Sequence, residues 1–179
     1  MHGCGGVGLS AVMIAAACGA QVVAVDIAPG ALELARRCGA TVCLDARALA
    51  GPGAVAAAVR DATDGGAHLS LDTLGSHATC AASIESLRRR GRHVQVGLLP
   101  AAQGRPALPM DLVIAYELEL RGSHGMAAHA YPELLRLVTA GVLRPAELVT
   151  RTIDLAEVPD ALAAMDGPAP GGMCLIRPA

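Results

Sequence analysis

The 179-residue sequence has no lysine, no tryptophan and no phenylalanine; all fourteen basic residues are arginine, and two tyrosines are the only aromatic residues. Each absence excludes a chemistry. Without an amine side chain there is no phosphate-binding P-loop lysine, no Schiff-base nucleophile and no Tyr-Lys pair of the short-chain dehydrogenase kind. With almost no aromatic surface to stack on bases, and a formal net charge of −2, nucleic acid and anionic lipid are poor partners. Charged residues are also scarce, at 17% against an average of about 25%, while 53% of the chain is hydrophobic. That composition predicts a packed interior. At roughly 150 residues per domain the length predicts one domain, or one with a short appendage.

No CxxC pair occurs among the six cysteines, Cys4, Cys18, Cys38, Cys43, Cys80 and Cys174. Most sit in apolar periodic segments, where cysteine behaves as a small hydrophobe, and the expectation is a reduced, cytoplasmic protein. Val7 to Val25 is an uncharged run of membrane-spanning length. It lacks a basic flank, and Gly19, Ala20 and Gln21 divide it into a helix-like and a strand-like half, so no membrane partner is expected.

What is present is a repeated unit. Apolar residues at Leu9, Val12, Met13 and Ala16 have helical spacing, Gly19 follows at the helix end, and Gln21 to Asp26 is a continuous apolar run closing on an acid. Pro29 then opens a helix through Leu32, Leu34 and Ala35, followed by Cys38-Gly39-Ala40 and a strand from Thr41 to Asp45. A third copy runs from Pro52 through Val55 and Val59 to Gly65-Gly66-Ala67 and a strand from His68 to Asp72. A fourth helix is expected from an N-cap at Ser76 to Arg88-Arg89-Arg90, whose charges would face the negative end of the helix dipole; His93 to Val96 would be its strand. Alternating strands and helices predict an α/β fold with a doubly wound parallel sheet. Beyond Gly97 the rhythm changes. A Pro/Gly loop spans Ala101 to Pro109, a strand is expected at Leu118 to Ser123, and a helix runs from Pro132 to Gly141. Strands near Leu148 to Ile153 and Met173 to Ile176 flank a helix near Val158 to Met165. The expected division is a dinucleotide-binding unit over 1–141 and a return segment over 142–179.

The chemistry is at the start. Gly3-Cys4-Gly5-Gly6-Val7-Gly8 is a G-x-G-x-x-G string opening a helix, and Asp26 ends the next strand. The first glycine makes a tight turn, the second lets backbone approach a pyrophosphate, and the third lets helix and strand pack closely. The helix N-terminus offers free N–H groups and partial positive charge to the phosphates. Asp26 would take the hydroxyls of the adenosine ribose and repel a 2′-phosphate, which favours NAD over NADP. One part is missing. The fingerprint belongs directly after a strand, yet only Met1 and His2 precede Gly3; at ~3.3 Å per residue they span about 7 Å, against ~17 Å for an ordinary strand. The sheet is therefore expected to be truncated at its first strand, which is the middle one in spatial order. If the chain truly starts at Met1, the strands at 21–25 and 68–72 should face a gap, pair directly or borrow a strand.

The string GCGGVGLSAVMIAAACGAQVVAVD, the later LDTLGS and VGLLP, then LELRGSHG and LVTRTIDLAEVPDALAAM resemble the C-terminal half of the zinc-type medium-chain alcohol dehydrogenases. The resemblance implies a Rossmann-type coenzyme domain followed by a segment returning to a catalytic domain. It implies that Gly3, Gly5, Gly6, Val7 and Gly8 form the pyrophosphate turn. By the same resemblance Asp26 binds adenosine ribose, Thr73, Leu74, Gly75, Gly97 and Leu98 line the coenzyme cleft, and backbone near Ser123 and His124 faces the nicotinamide carboxamide. Ala31 stands where many relatives carry a basic residue. The implied reaction is hydride transfer between NAD and a small alcohol or aldehyde, and a homo-oligomer would form through the sheet edge near Leu118 to Ser123. In that family the zinc ligands come from the other half of the protein, so no catalytic residue and no metal ligand is assigned to this chain. On its own it is expected to bind NAD weakly or not at all and to leave alcohols unturned. The alternative is a stand-alone nucleotide-binding or interaction module without catalysis.

Blander readings cover the remaining reactive residues. The six histidines are scattered, with His124 and His129 five apart rather than at metal-binding helical spacing. Cys4 is either a space-filler beside the coenzyme or a thiol acidified by the helix end. Ser76 and His77 with Asp72 lack the sequence surroundings of a hydrolase nucleophile.

Overall fold

A computed structural model describes residues 1–167 and 171–178. The elements run α1 (Gly6–Ala17), β1 (Val23–Asp26), α2 (Pro29–Arg37), β2 (Val42–Asp45), α3 (Pro52–Ala62), β3 (Ala67–Asp72), α4 (His77–Glu85) and β4 (Leu87–Gln95). They continue as α5 (Met110–Tyr116), β5 (Glu119–Gly122), α6 (Tyr131–Thr139), β6 (Val149–Asp154), α7 (Val158–Ala163) and β7 (Met173–Arg177).

All strand pairs are parallel. β1 pairs with β2 in the register Val23↔Val42 to Asp26↔Asp45, and β3-β4-β5 form a second ladder. His2 joins the two groups, bridging Val25 on one side and Asp72 on the other. Met1 O accepts from Val25 N (2.8 Å), Gly3 N donates to Val25 O (2.9 Å), His2 N donates to Leu71 O (2.9 Å), and Thr73 N donates to His2 O (2.9 Å). The spatial order is thus β2-β1-(Met1–Gly3)-β3-β4-β5, a doubly wound Rossmann-type sheet whose central strand is a three-residue stump.

Below the stump the sheet is split. A cleft of about 660 Å³ separates β1 from β3, lined by Val22, Val23, Leu69 and Leu71 on its lips, with Ala15 and Val59 among its walls. Hydrogen-bond alternation turns the N–H groups of Val23 and Leu71 toward it, because Val23 O already takes the Met1 amine (2.7 Å) and Leu71 O takes His2 N. Met1 to Gly3 thus occupy one end of the space between β1 and β3, and the cleft the other.

Strand β1 is buried on both faces, as its unbroken apolar sequence requires. Val22 and Ala24 join α1, α2 and α6 in one core, containing Leu9, Val12, Leu32 and Ala35. Val23 and Val25 join Val55 and Val59 of α3 and Ala82 of α4 in the other. Leu143 and Leu148, past residue 141, are buried in the first core. Strands β6 and β7 form a separate parallel pair, and Leu155, Leu162, Met165, Leu175 and Ile176 around it are exposed.

Two local expectations are corrected. Helix α4 does begin after Ser76, with a capping box to Thr79, but it stops at Glu85. Arg88, Arg89 and Arg90 lie in β4, not in a helical last turn. Leu87, fully buried, starts the strand without an intervening loop, and Arg89 stacks its guanidinium 4.7 Å from the Tyr116 ring. Helix α5, directly behind Pro109, was not expected; it has only seven residues and no side-chain cap. No helix among the described residues is long and apolar enough to cross a membrane, and the uncharged Val7 to Val25 run is helix α1 followed by strand β1.

Candidate coenzyme site at the glycine turn

The sequence-predicted site residues lie past the carboxyl ends of successive parallel elements: Gly3 to Gly8 after the stump, Asp26 at the end of β1, Thr73 to Gly75 after β3, Gly97 and Leu98 after β4, and Ser123 and His124 after β5. This is the edge where open α/β sheets bind ligands, at the point where strand order reverses.

The glycines have separable roles. Gly3 has φ +88°, a left-handed conformation that side chains disfavour. Gly8 is a close-packing position, since a Cβ there would lie 2.0 Å from the Gly3 carbonyl oxygen and 2.8 Å from Thr73 Oγ1. Gly5 caps α1 with φ −72° and ψ −170°, and a Cβ on it would meet nothing within 4 Å. No side chain caps the helix and no acid stands in its first turn among the described residues, so the Gly6, Val7 and Gly8 amides lack the usual internal acceptor. Open space above Gly5 and unclaimed donors beneath it form a cradle for an anion at the positive end of a helix.

Asp26 is built into this turn. Its Oδ2 accepts from Cys4 N (2.7 Å) and its Oδ1 from Ala28 N (2.8 Å). A carboxylate offers about four lone-pair directions, which leaves two for a ligand. Cys4 is fully buried, with Sγ 3.8 Å from Val25 O, and burial pushes its thiol up to about 12. The acidified-thiol alternative is overturned; Cys4 fills space.

Thr73 stitches β3 to the glycine turn, its hydroxyl donating to Gly3 O (2.9 Å) and reaching His2 O at 3.1 Å. Asp72, fully buried, accepts from Leu74 N (3.0 Å) and Gly75 N (3.1 Å) through Oδ1. A Cβ on Gly75 would sit 2.2 Å from Leu98 O, so the turns after β3 and β4 are in backbone contact. Leu74 and Leu98 are 63% and 76% exposed, an apolar surface beside the polar cradle. Ser123 N donates to Gln95 O (3.0 Å), which fixes the end of β5 against β4.

Two contributors escaped the sequence reading. Gly172 bridges Gly5, and the Met173 side chain lies where a Cβ on Gly6 would approach it to 3.1 Å. The start of β7 thus borders the turn from 167 residues away, a contact no local pattern announces. Gln95 is the other, through its side-chain bonds to Asp72 and Gly97. For a metal, the described residues offer no group of three or more His, Cys, Asp or Glu side chains that could hold one.

The sequence profile of the zinc-binding dehydrogenases matches residues 6–140. D-xylulose reductase A of Aspergillus niger is 30% identical over 155 residues, 86% of this chain and 42% of that protein. The NAD-dependent alcohol dehydrogenase of Saccharolobus solfataricus is 31% identical over 160 residues, 88% of this chain and 44% of that one. The crystal structure of benzyl alcohol dehydrogenase from Acinetobacter calcoaceticus superposes with a TM-score of 0.87 at 27% identity, covering 99% of this chain and 48% of that one. The chain spans less than half the length of these relatives. By the extent of the profile match, the chain belongs to the zinc-binding dehydrogenase family.

Proposed function

We propose that this chain is the NAD(H)-binding portion of a zinc-dependent, alcohol dehydrogenase-like oxidoreductase, with residues 1–141 as the coenzyme unit and 142–179 as the segment returning toward a catalytic domain. Relatives that include an NAD-dependent alcohol dehydrogenase support the cofactor, and a small alcohol or aldehyde is the substrate class. The observation that carries the reading is the glycine turn: uncapped helix amides under open space at Gly5, with Asp26 held beside them.

In this reading the amides of Gly6, Val7 and Gly8 hold the diphosphate. The two free lone-pair directions of Asp26 take the adenosine ribose hydroxyls, and its charge disfavours a 2′-phosphate. The nicotinamide half then extends over the turns after β3 and β4, with backbone near Ser123 and His124 facing its carboxamide. Bound NAD supplies the hydride acceptor; the chain's residues orient it and shield one face with Leu74 and Leu98. Catalysis needs groups this chain does not furnish, so on its own it turns over no alcohol, and it binds NAD weakly or not at all. The protein is read as cytoplasmic, with a homo-oligomer formed along the β5 edge.

Calorimetric titration with NAD and NADP tests this. NAD is expected to bind more tightly, and Asp26→Ala to weaken NAD and abolish the preference. Equal affinity of the parent chain for both would remove the role of Asp26, and zinc-dependent alcohol oxidation by the 179-residue chain would contradict its catalytic incompleteness.

A further inference from the structure

We propose that Gln95, acting through Asp72, is a positioning residue that sets the two backbone turns Thr73–Gly75 and Gly97–Leu98 for the nicotinamide half of the coenzyme. The inference rests on the coenzyme reading above and goes beyond it.

The two residues face each other in the β3-β4 register. Gln95 Nε2 donates to Asp72 Oδ2 (2.9 Å) and to Gly97 O (2.8 Å), so one amide group spans both turns. Asp72 does the same from the other strand. Its Oδ1 takes the Leu74 and Gly75 amides, its main-chain oxygen takes Val96 N and Gly97 N (2.9 Å each), and its Oδ2 takes Thr79 Oγ1 (3.2 Å) from α4. With six donors, four on its carboxylate and two on its main-chain oxygen, the fully buried Asp72 becomes the shared anchor of the cleft wall.

The orientation of Gln95 is itself fixed. Because both of its amide hydrogens are used, Oε1 must accept, and its neighbour is His93 Nε2 at 3.2 Å. His93 therefore carries its proton on Nε2, and the single lone pair of Nδ1 accepts from the hydroxyl of Ser83 (3.0 Å), with Ser70 Oγ at 3.3 Å beside it. All three of these residues are buried. The chain of bonds runs from the core outward and ends on backbone atoms of the turns.

Side-chain packing does not hold those turns. Their large side chains, Leu74 and Leu98, are mostly exposed, while Gly75 and Gly97 approach so closely that a Cβ on Gly97 would lie 2.4 Å from Gly75 N. The polar clamp is what remains to set their separation. Asp26 lies on the β1 side of the glycine turn and the clamp on the β3-β4 side, so the clamp should govern the nicotinamide nucleoside and leave the adenosine nucleoside alone.

The test is titration of the full chain with NAD and with AMP, in the parent, Gln95→Met and Gln95→Glu. Methionine keeps length and flexibility but loses both donors, and glutamate sets a carboxylate against Asp72. NAD affinity is expected to fall about tenfold or more in both variants, the effect of losing hydrogen bonds worth together ~1.4 kcal/mol, with AMP affinity within about twofold of the parent. Faster amide exchange at Leu74, Gly75 and Gly97 should accompany it. NAD and AMP falling together, or NAD binding unchanged in variants that fold, overturns the clamp while leaving the coenzyme reading intact. A chain that binds neither ligand at millimolar concentration, alone and also when joined to the other half of such an enzyme, removes the coenzyme reading, and the clamp with it.

Discussion

Glycine at four of the six positions 3–8 does four different things, and substitution separates them. Gly8→Ala forces a methyl into the Gly3 carbonyl, a backbone clash that flexible side chains cannot absorb. Its expected cost is on the order of 2–3 kcal/mol of unfolding free energy, the usual scale of overpacking. Gly5→Ala meets no neighbour and has an ordinary φ, so its stability should stay within about 0.5 kcal/mol of the parent while NAD binding weakens, because the methyl occupies the ligand's space. Urea unfolding and calorimetry together read this out. Equal destabilisation by the two, or a Gly5→Ala chain that binds NAD like the parent, would contradict the assignment. The six-residue string and Asp26 were legible because their spacing encodes a backbone trajectory. What stayed hidden was the second use of each residue: Asp26 capping the Cys4 amide, Thr73 tying β3 to the turn, Gln95 spanning two loops. Those bonds depend on which strands become neighbours, which no local period reports.

Among the elements, helices and strands up to β3 follow from hydrophobic periodicity and from the Gly-Ala ending of each unit. The Arg88 to Arg90 run misled because a helix's last turn and the exposed start of a strand both accept basic residues, and only the buried Leu87 shows where the strand starts. Helix α5 was obscured by its seven-residue length behind a proline-rich loop. The shortness of the segment ahead of the glycine turn was legible from the two residues before Gly3, and it carries an element-scale prediction. Extending the chain upstream of Met1 by five alternating β-branched residues should fill the cleft between β1 and β3, pair the Val23 and Leu71 amides, and raise unfolding free energy by ~2 kcal/mol or more through apolar burial. Hydrogen exchange at those two amides should slow in parallel. An extension that leaves both stability and exchange unchanged would mean the cleft does not accept a strand.

For the molecule as a whole, the stump places a histidine where no proton is welcome. His2 is buried, and burial together with the nearby Met1 ammonium and His93 pushes it down to about 3, while burial also lowers His93. The unfolded chain therefore binds more protons than the folded one below the ordinary histidine pKa of about 6.5. Stability from His2 is complete above that pH and is lost as pH falls through about 3, with a slope approaching 1.4 kcal/mol per pH unit between the two values; the lowered His93 acts in the same direction. Urea unfolding between pH 7.5 and 4 should show that decline, and His2→Gln should flatten it; a pH-independent parent would contradict the buried placement of His2. At the same scale, the exposed Leu155, Leu162, Met165, Leu175 and Ile176 around β6 and β7 mark a surface on which apolar side chains outnumber what an isolated fold needs. The sequence showed this segment as different in style, yet its Leu143 and Leu148 belong to the first core, which only packing could show.

Amide chemical-shift mapping during an NAD titration addresses the cradle itself. The account predicts that the largest shifts fall on Gly5 to Gly8, with Asp26, Thr73 to Gly75 and Gly97 following, and that AMP reproduces only the first two groups. Shifts confined to other surfaces, or none at residues 5–8 with NAD at saturating millimolar concentration, would show that this helix end does not hold a diphosphate.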